Sequence, residues 1–159
     1  MFVISIIISL IIQFQSVSSN ELPTTISQMI SEKYKKWELV VYSYTKLNKE
    51  KVVTKFIRGD FNGDSTLDYA VMIKVNNDPQ NCRCLAFVSQ SQNYITFTIG
   101  GKYSVSRSSM QFDRKGSRKY DYNTQSEIIL TSDVFTIATE GCNTYVFKKN
   151  SFVTLASCD

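Results

Sequence analysis

The sequence predicts an α+β fold, with an N-terminal amphipathic helix packed on a meandering, mostly antiparallel β-sheet and disulfides holding the whole together. Three observations carry this prediction. Apolar residues recur at helical spacing over residues 26–37, short segments rich in β-branched and aromatic residues follow them, and four cysteines stand in a chain that opens like an exported one.

Residues 1–19 contain no charged side chain, and residues 2–14 (FVISIIISLIIQF) are almost continuously apolar. A bilayer-crossing helix needs roughly 20 apolar residues, so this run is too short to span. Val17 and Ser19 place small residues at −3 and −1 of a cut before Asn20, the pattern of a secretory signal peptide that lacks a basic start. An uncleaved anchor and a buried first element are the alternatives. Residues 20–159 then form one globular domain, secreted or periplasmic, with no stable membrane span after cleavage.

In the segment TTISQMISEKYKKW, Ile26, Met29, Ile30, Tyr34 and Trp37 fall on one helical face, and Thr25 with Gln28 reads as a capping box. The period then changes to that of strands, from WELVVYSY through DYAVMIKV, CLAFVSQ and NYITFTIG to SFVTLAS. Over Tyr94–Ile99 the alternation puts Ile95, Phe97 and Ile99 on one face. Turns near Ser132-Asp133 and Lys149-Asn150 predict two closing hairpins.

In an exported chain Cys82, Cys84, Cys142 and Cys158 read as two disulfides. Neighbours two apart on a strand are too distant for an unstrained bridge, so Cys82 and Cys84 are each expected to reach Cys142 or Cys158. Such bridges contribute about 2–4 kcal/mol each. A zinc site fits poorly, because the chain has no histidine.

The net charge of +4 is ordinary for a soluble domain and does not call for nucleic acid. Between residues 100 and 126, Lys102, Arg107, Arg114, Lys115, Arg118 and Lys119 interleave with Tyr103, Phe112, Tyr120 and Tyr122. One reading is a contact surface for an anionic partner, with Tyr120 among its aromatics. The other is a solvated hairpin whose aromatics pack on the sheet.

The stretch GDFNGDSTLDYAVMI carries most of the functional information. With Asp60 as position 1, Asn62 falls at 3, Asp64 at 5, the Thr66 carbonyl at 7 and Asp68 at 9, which are five oxygen donors at calcium-loop spacing. Position 12 is Val71 rather than a glutamate, so the loop is not an EF-hand. Ser65 occupies the position where such loops place glycine, and a left-handed serine costs about 1 kcal/mol. The competing reading is a polar turn capped by its own Asp and Asn side chains. Arg58-Gly59-Asp60 spells a receptor-binding tripeptide, but its aspartate is already the first donor of the loop.

This stretch resembles the D-x-N-G-D-G-x-x-D unit of FG-GAP and VCBS-type calcium repeats, and more closely a group of small exported bacterial proteins that carry the unit once. The carboxyl-terminal part, EIILTSDVFTIATEGCNTYVFKKNSFVTLASCD, is similar to the ending of that group, whereas the middle is unmatched. The resemblance implies weak calcium binding, at roughly 10⁻⁴ to 10⁻³ M, and assigns no reaction.

Without histidine, Ser-His-Asp and Cys-His chemistry is excluded, which leaves only carboxylate pairs drawn from Glu38, Glu127 and Glu140. The sequence therefore points to a non-catalytic binding domain with a structural calcium loop, its partner an extracellular protein or glycan. An inhibitor or immunity-type protein that blocks a secreted hydrolase through residues 102–122 is the alternative.

Overall fold

The computed structural model describes residues 21–45 and 51–158. The predicted signal segment 1–19 lies outside them, and among the described residues no helix is long and apolar enough to cross a membrane.

The helix α1 (Thr24–Lys33) is followed by β1 (Trp37–Leu39), β2 (Tyr42–Thr45), β3 (Lys51–Thr54), β4 (Phe56–Gly59), β5 (Asp68–Val75), β6 (Asp78–Gln90) and β7 (Asn93–Tyr103). After a 3-10 turn at Val105–Arg107 come β8 (Ser109–Asp113), β9 (Arg118–Asp121), β10 (Ser126–Ile129), β11 (Val134–Ala138), β12 (Cys142–Lys148) and β13 (Ser151–Cys158). Every described strand pairing is antiparallel.

The expected α+β class is corrected by these proportions. Strands make up 59% of the structure and helix 10%, and the one helix starts at Thr24 rather than at the amino terminus. The described residues form a β-sandwich carrying a single α-helix. One of its two larger sheets runs β1-β5-β6-β7, with β4 sharing the outer edge of β5, the other runs β13-β12-β11-β8, and β2-β3 and β10-β9 are separate two-stranded sheets. The physical reason lies in β5, whose residues are buried on both faces. Val71 and Ile73 meet Ile26 and Ile30 of α1, while Ala70 and Met72 face the second sheet with Phe61, Phe135 and Ile137. A strand covered on both sides reads as a continuous apolar run, which hides the second sheet from the sequence.

The helix boundaries also differ from expectation. Pro23 is the N-cap and no side chain caps the helix, so the Thr25–Gln28 box does not form, and Trp37 opens β1. Ile26 and Ile30 are buried as the periodicity predicts.

The two predicted bridges from Cys82 and Cys84 are not made, and both thiols are free and fully buried. Alternation along β6 turns both inward, among Met72, Ala86 and Ile99. Cys142 and Cys158 stand opposite each other in the ladder of the other sheet. Burial pushes both buried thiols up in pKa, so they remain protonated core residues.

Three two-residue hairpins join β5 to β6 at Asn76-Asn77, β6 to β7 at Ser91-Gln92 and β12 to β13 at Lys149-Asn150. All six residues have positive φ, the geometry that matches strand twist. The expected hairpin at Ser132-Asp133 does not form. β10 pairs with β9, and β11 pairs with β8 and β12.

Candidate functional site

The loop 60–67 joins β4 to β5 at one end of the sandwich. Phe61 anchors it: this ring is fully buried, 5.2 Å from Phe135 and 6.2 Å from Phe152 between centroids. Asp133, just before β11, ties the loop to the second sheet. Its carboxylate accepts from Asp60 N at 3.0 Å and Lys115 N at 2.9 Å, and Asp133 N donates to the Asp60 carbonyl at 3.1 Å. Gly59 permits this approach, because a Cβ there would lie 2.8 Å from the Phe112 ring and 3.0 Å from Asp133.

Within the loop each acidic side chain gathers backbone N–H groups. Asp60 accepts from Gly63 N at 2.7 Å, Asp64 N at 3.0 Å and Ser65 N at 2.9 Å. The Asn62 carbonyl oxygen accepts from Asp64 N, and its amide donates to Asp64 Oδ2 at 2.9 Å and to the Ser89 carbonyl at 3.1 Å. Asp64 Oδ1 accepts from Thr66 N at 2.7 Å. The Asn62 amide holds the Asp64 carboxyl below the ordinary carboxylate range.

Asp68 differs from the other donors. It is fully buried, and its two oxygens accept from Phe61 N at 2.7 Å, Asn62 N at 3.3 Å and, across the sheet, Ser89 N at 2.7 Å. Burial raises its pKa to about 6, against the opposing pull of those three N–H groups. The ninth-position carboxylate is thus committed to backbone donors. Among the described residues no three His, Cys, Asp or Glu side chains gather closely enough to hold a metal ion. The oxygens of Asp60, Asn62 and Asp64 accept hydrogen bonds too, but these side chains are not buried, so a cation on this loop would draw on them and the Thr66 carbonyl before the fully buried Asp68.

Ser65 adopts φ +67° and Gly63 φ +82°, so the chain winds as the motif requires even with serine in the glycine position. Ser65→Gly is expected to stabilise the protein by about 0.5–1 kcal/mol, through relief of the left-handed serine. Urea unfolding measures this, and a variant less stable than the parent would contradict it.

Beside the loop is a cleft of about 540 Å³. Asn62, Gly63 and Asp64 form one wall, Ser89, Gln90 and Asn150 are on the rim, and Ile95, Phe97 and Phe147 form the apolar floor. Ile95 is 45% exposed there, so part of the apolar lining is open to solvent. No local sequence pattern signals this cleft, because its lining comes from β4–β5, β6–β7 and β12–β13. Asp133 was also missed; its only local signal is an aspartate in a polar turn just before a strand.

The basic residues of the 102–122 region are spread over several elements. Lys102 is exposed near the end of β7, and Arg107 faces Glu140 at 3.8 Å. Arg114 and Lys115 occupy the β8–β9 turn, and Arg118 faces Glu127 at 3.3 Å. Lys119 is half-buried against Asp113 at 2.8 Å and donates to Thr136 Oγ1. Tyr120 is exposed and packs edge-on to Tyr122 at 4.8 Å. In the tripeptide Gly59 is buried, and the Asp60 carboxylate is occupied as described. Glu38, Glu127 and Glu140 lie on three different elements, each beside its own cation, Lys74, Arg118 and Arg107 respectively. Compared with family models, with curated proteins and with solved structures, the chain matches none of them.

Proposed function

We propose that the protein is an exported, non-catalytic binding domain whose contact surface is the cleft beside the 60–68 loop. The observation that carries this reading is the cleft's composition: amide and carboxylate groups of Asn62 and Asp64 beside the aromatic and aliphatic side chains of Ile95, Phe97 and Phe147. The three glutamates suited to carboxylate chemistry stand apart, each next to a cation, which favours binding over turnover. The loop's role is structural. It holds one wall of the cleft in place, and calcium drawn to Asp60, Asn62, Asp64 and the Thr66 carbonyl adds charge neutralisation at weak affinity, near 1 mM in order of magnitude.

A panel of neutral glycans and extended peptides, offered with and without calcium, tests this reading. The protein should retain one class and release it chemically unchanged, and Ile95→Glu should bind it about tenfold more weakly. Conversion of any ligand, or binding indifferent to Ile95→Glu, would overturn it.

A further inference from the structure

Among the described residues β7 ends the first sheet and β13 ends the second, and no described strand pairs with the outer edge of β7 on this open side. We propose that this open side is a strand-addition site, where an extended polypeptide segment carrying an acidic side chain pairs with the free edge of β7. The proposal rests on the binding-domain reading and names the class of partner.

The first argument is the character of the edge. Unpaired edges are ordinarily kept short or blunted with charge. Here β4 is four residues long and carries Arg58, β1 is three long with Glu38, and β8 is five long and ends in Asp113. β7 runs for 11 residues, and over its regular ladder from Asn93 to Ile99 (NYITFTI), before a bulge that begins at the left-handed Gly100, it has neither a charge nor a proline. The outer edge of β13 is partly taken, since Tyr122 N donates to the Ala156 carbonyl at 2.8 Å. Among the described residues the long neutral edge left is therefore β7.

Side-chain space beside that edge is already shaped. Four consecutive residues, Phe97–Gly100, border a shallow groove of about 280 Å³ that Ser151 and Phe152 close on the far side. Side chains of a strand alternate between its faces, so four consecutive residues reach one groove together where the strand's backbone borders it. Phe97 also floors the larger cleft, so the two hollows meet at its ring, which packs against Phe152 at 5.4 Å. A paired strand would turn alternate side chains into this aromatic floor, which is the division of labour in β-augmentation: backbone for affinity, pockets for specificity.

Charge selects the occupant. On the opposite face of β7, Lys33 of α1 reaches Thr98 Oγ1 at 3.4 Å, so an ammonium group overhangs the edge. A second copy paired antiparallel about Thr98 would bring two Lys33 groups together, and like charges directly opposed are unfavourable. A foreign segment with a carboxylate at that register meets Lys33 instead.

The probe is a fluorescein-labelled decapeptide alternating valine and threonine, with one central aspartate in a threonine position, titrated into the purified protein and read by anisotropy. Saturable binding is expected, with slowed amide exchange confined to β7. The same peptide with N-methylated amides should bind about tenfold more weakly or worse. Lys33→Glu should reverse the preference toward a lysine-bearing peptide. No binding up to millimolar peptide, or undiminished binding of the N-methylated form, overturns the proposal. A dimer that Thr96→Lys dissociates also overturns it, by giving the edge to a second copy. If β7 fails these tests while panel ligands still bind in an Ile95-dependent way, strand addition falls and the binding-domain reading stands. If no ligand binds at all, both fall.

Discussion

Asp68→Asn is expected to destabilise the protein by about 2–4 kcal/mol, roughly 10 °C in Tm for a domain of this size. The Asp68 carboxylate accepts from Phe61 N, Asn62 N and Ser89 N in a fully buried setting. An amide in its place must turn a donor toward at least one of these N–H groups. The same residue gives a pH signature. Its folded pKa, pushed up to about 6 by burial, lies above the unfolded value of about 4. The folded state therefore holds this proton more tightly. The resulting stabilisation is complete below about pH 4 and is lost as pH rises through 6. Acidification from pH 7 to 5 should thus raise the stability of the parent relative to the asparagine variant. Parallel pH profiles for the two proteins would contradict this assignment.

Phe61→Ala should cost about 3–5 kcal/mol, the range for removing a buried aromatic ring from a packed core. Phe61 lies between the sheets against Phe135 and Phe152, and its own N–H is held by Asp68. Its loss should therefore lower the urea midpoint and also speed amide exchange at Gly63, Asp64 and Ser65. Phe61→Leu keeps most of the volume and should cost about 1.5 kcal/mol or less. A fall in stability with no change in loop exchange would show that the loop does not depend on its anchor.

How much was legible in the sequence depended on whether the cause was local. Ser65 sits five residues from Asp60, whose carboxylate winds the turn, so the spacing marked it as the position where a left-handed residue is needed, whereas the left-handed Gly63 was not anticipated. The alternation over Tyr94–Ile99 in β7 and the Lys149-Asn150 turn were readable for the same reason. The fold class was not, because β5 is covered by α1 on one face and by a second sheet on the other, and nothing in DYAVMIKV distinguishes those two covers. Export biased the reading of Cys82 and Cys84 toward bridges, whereas alternation along β6 turns both into the core. Asp68 looked like the last donor of a metal loop because its deciding partner, Ser89 N, is 21 residues away on another strand.

The measurement that tests the structural role of the loop most directly is a set of thermal melts in EGTA and in 10 mM calcium, for the parent, Asp64→Asn and Asp68→Asn. The parent should melt cooperatively in EGTA, because the loop's oxygens already accept its own N–H groups. At about ten times the dissociation constant, calcium should add roughly 1.4 kcal/mol. Asp64→Asn should lose most of that increment, and Asp68→Asn should keep it from a lower starting point. A parent that is unfolded in EGTA, or an increment that disappears with Asp68→Asn, would make Asp68 a metal ligand and contradict the account of the loop as a hydrogen-bonded staple.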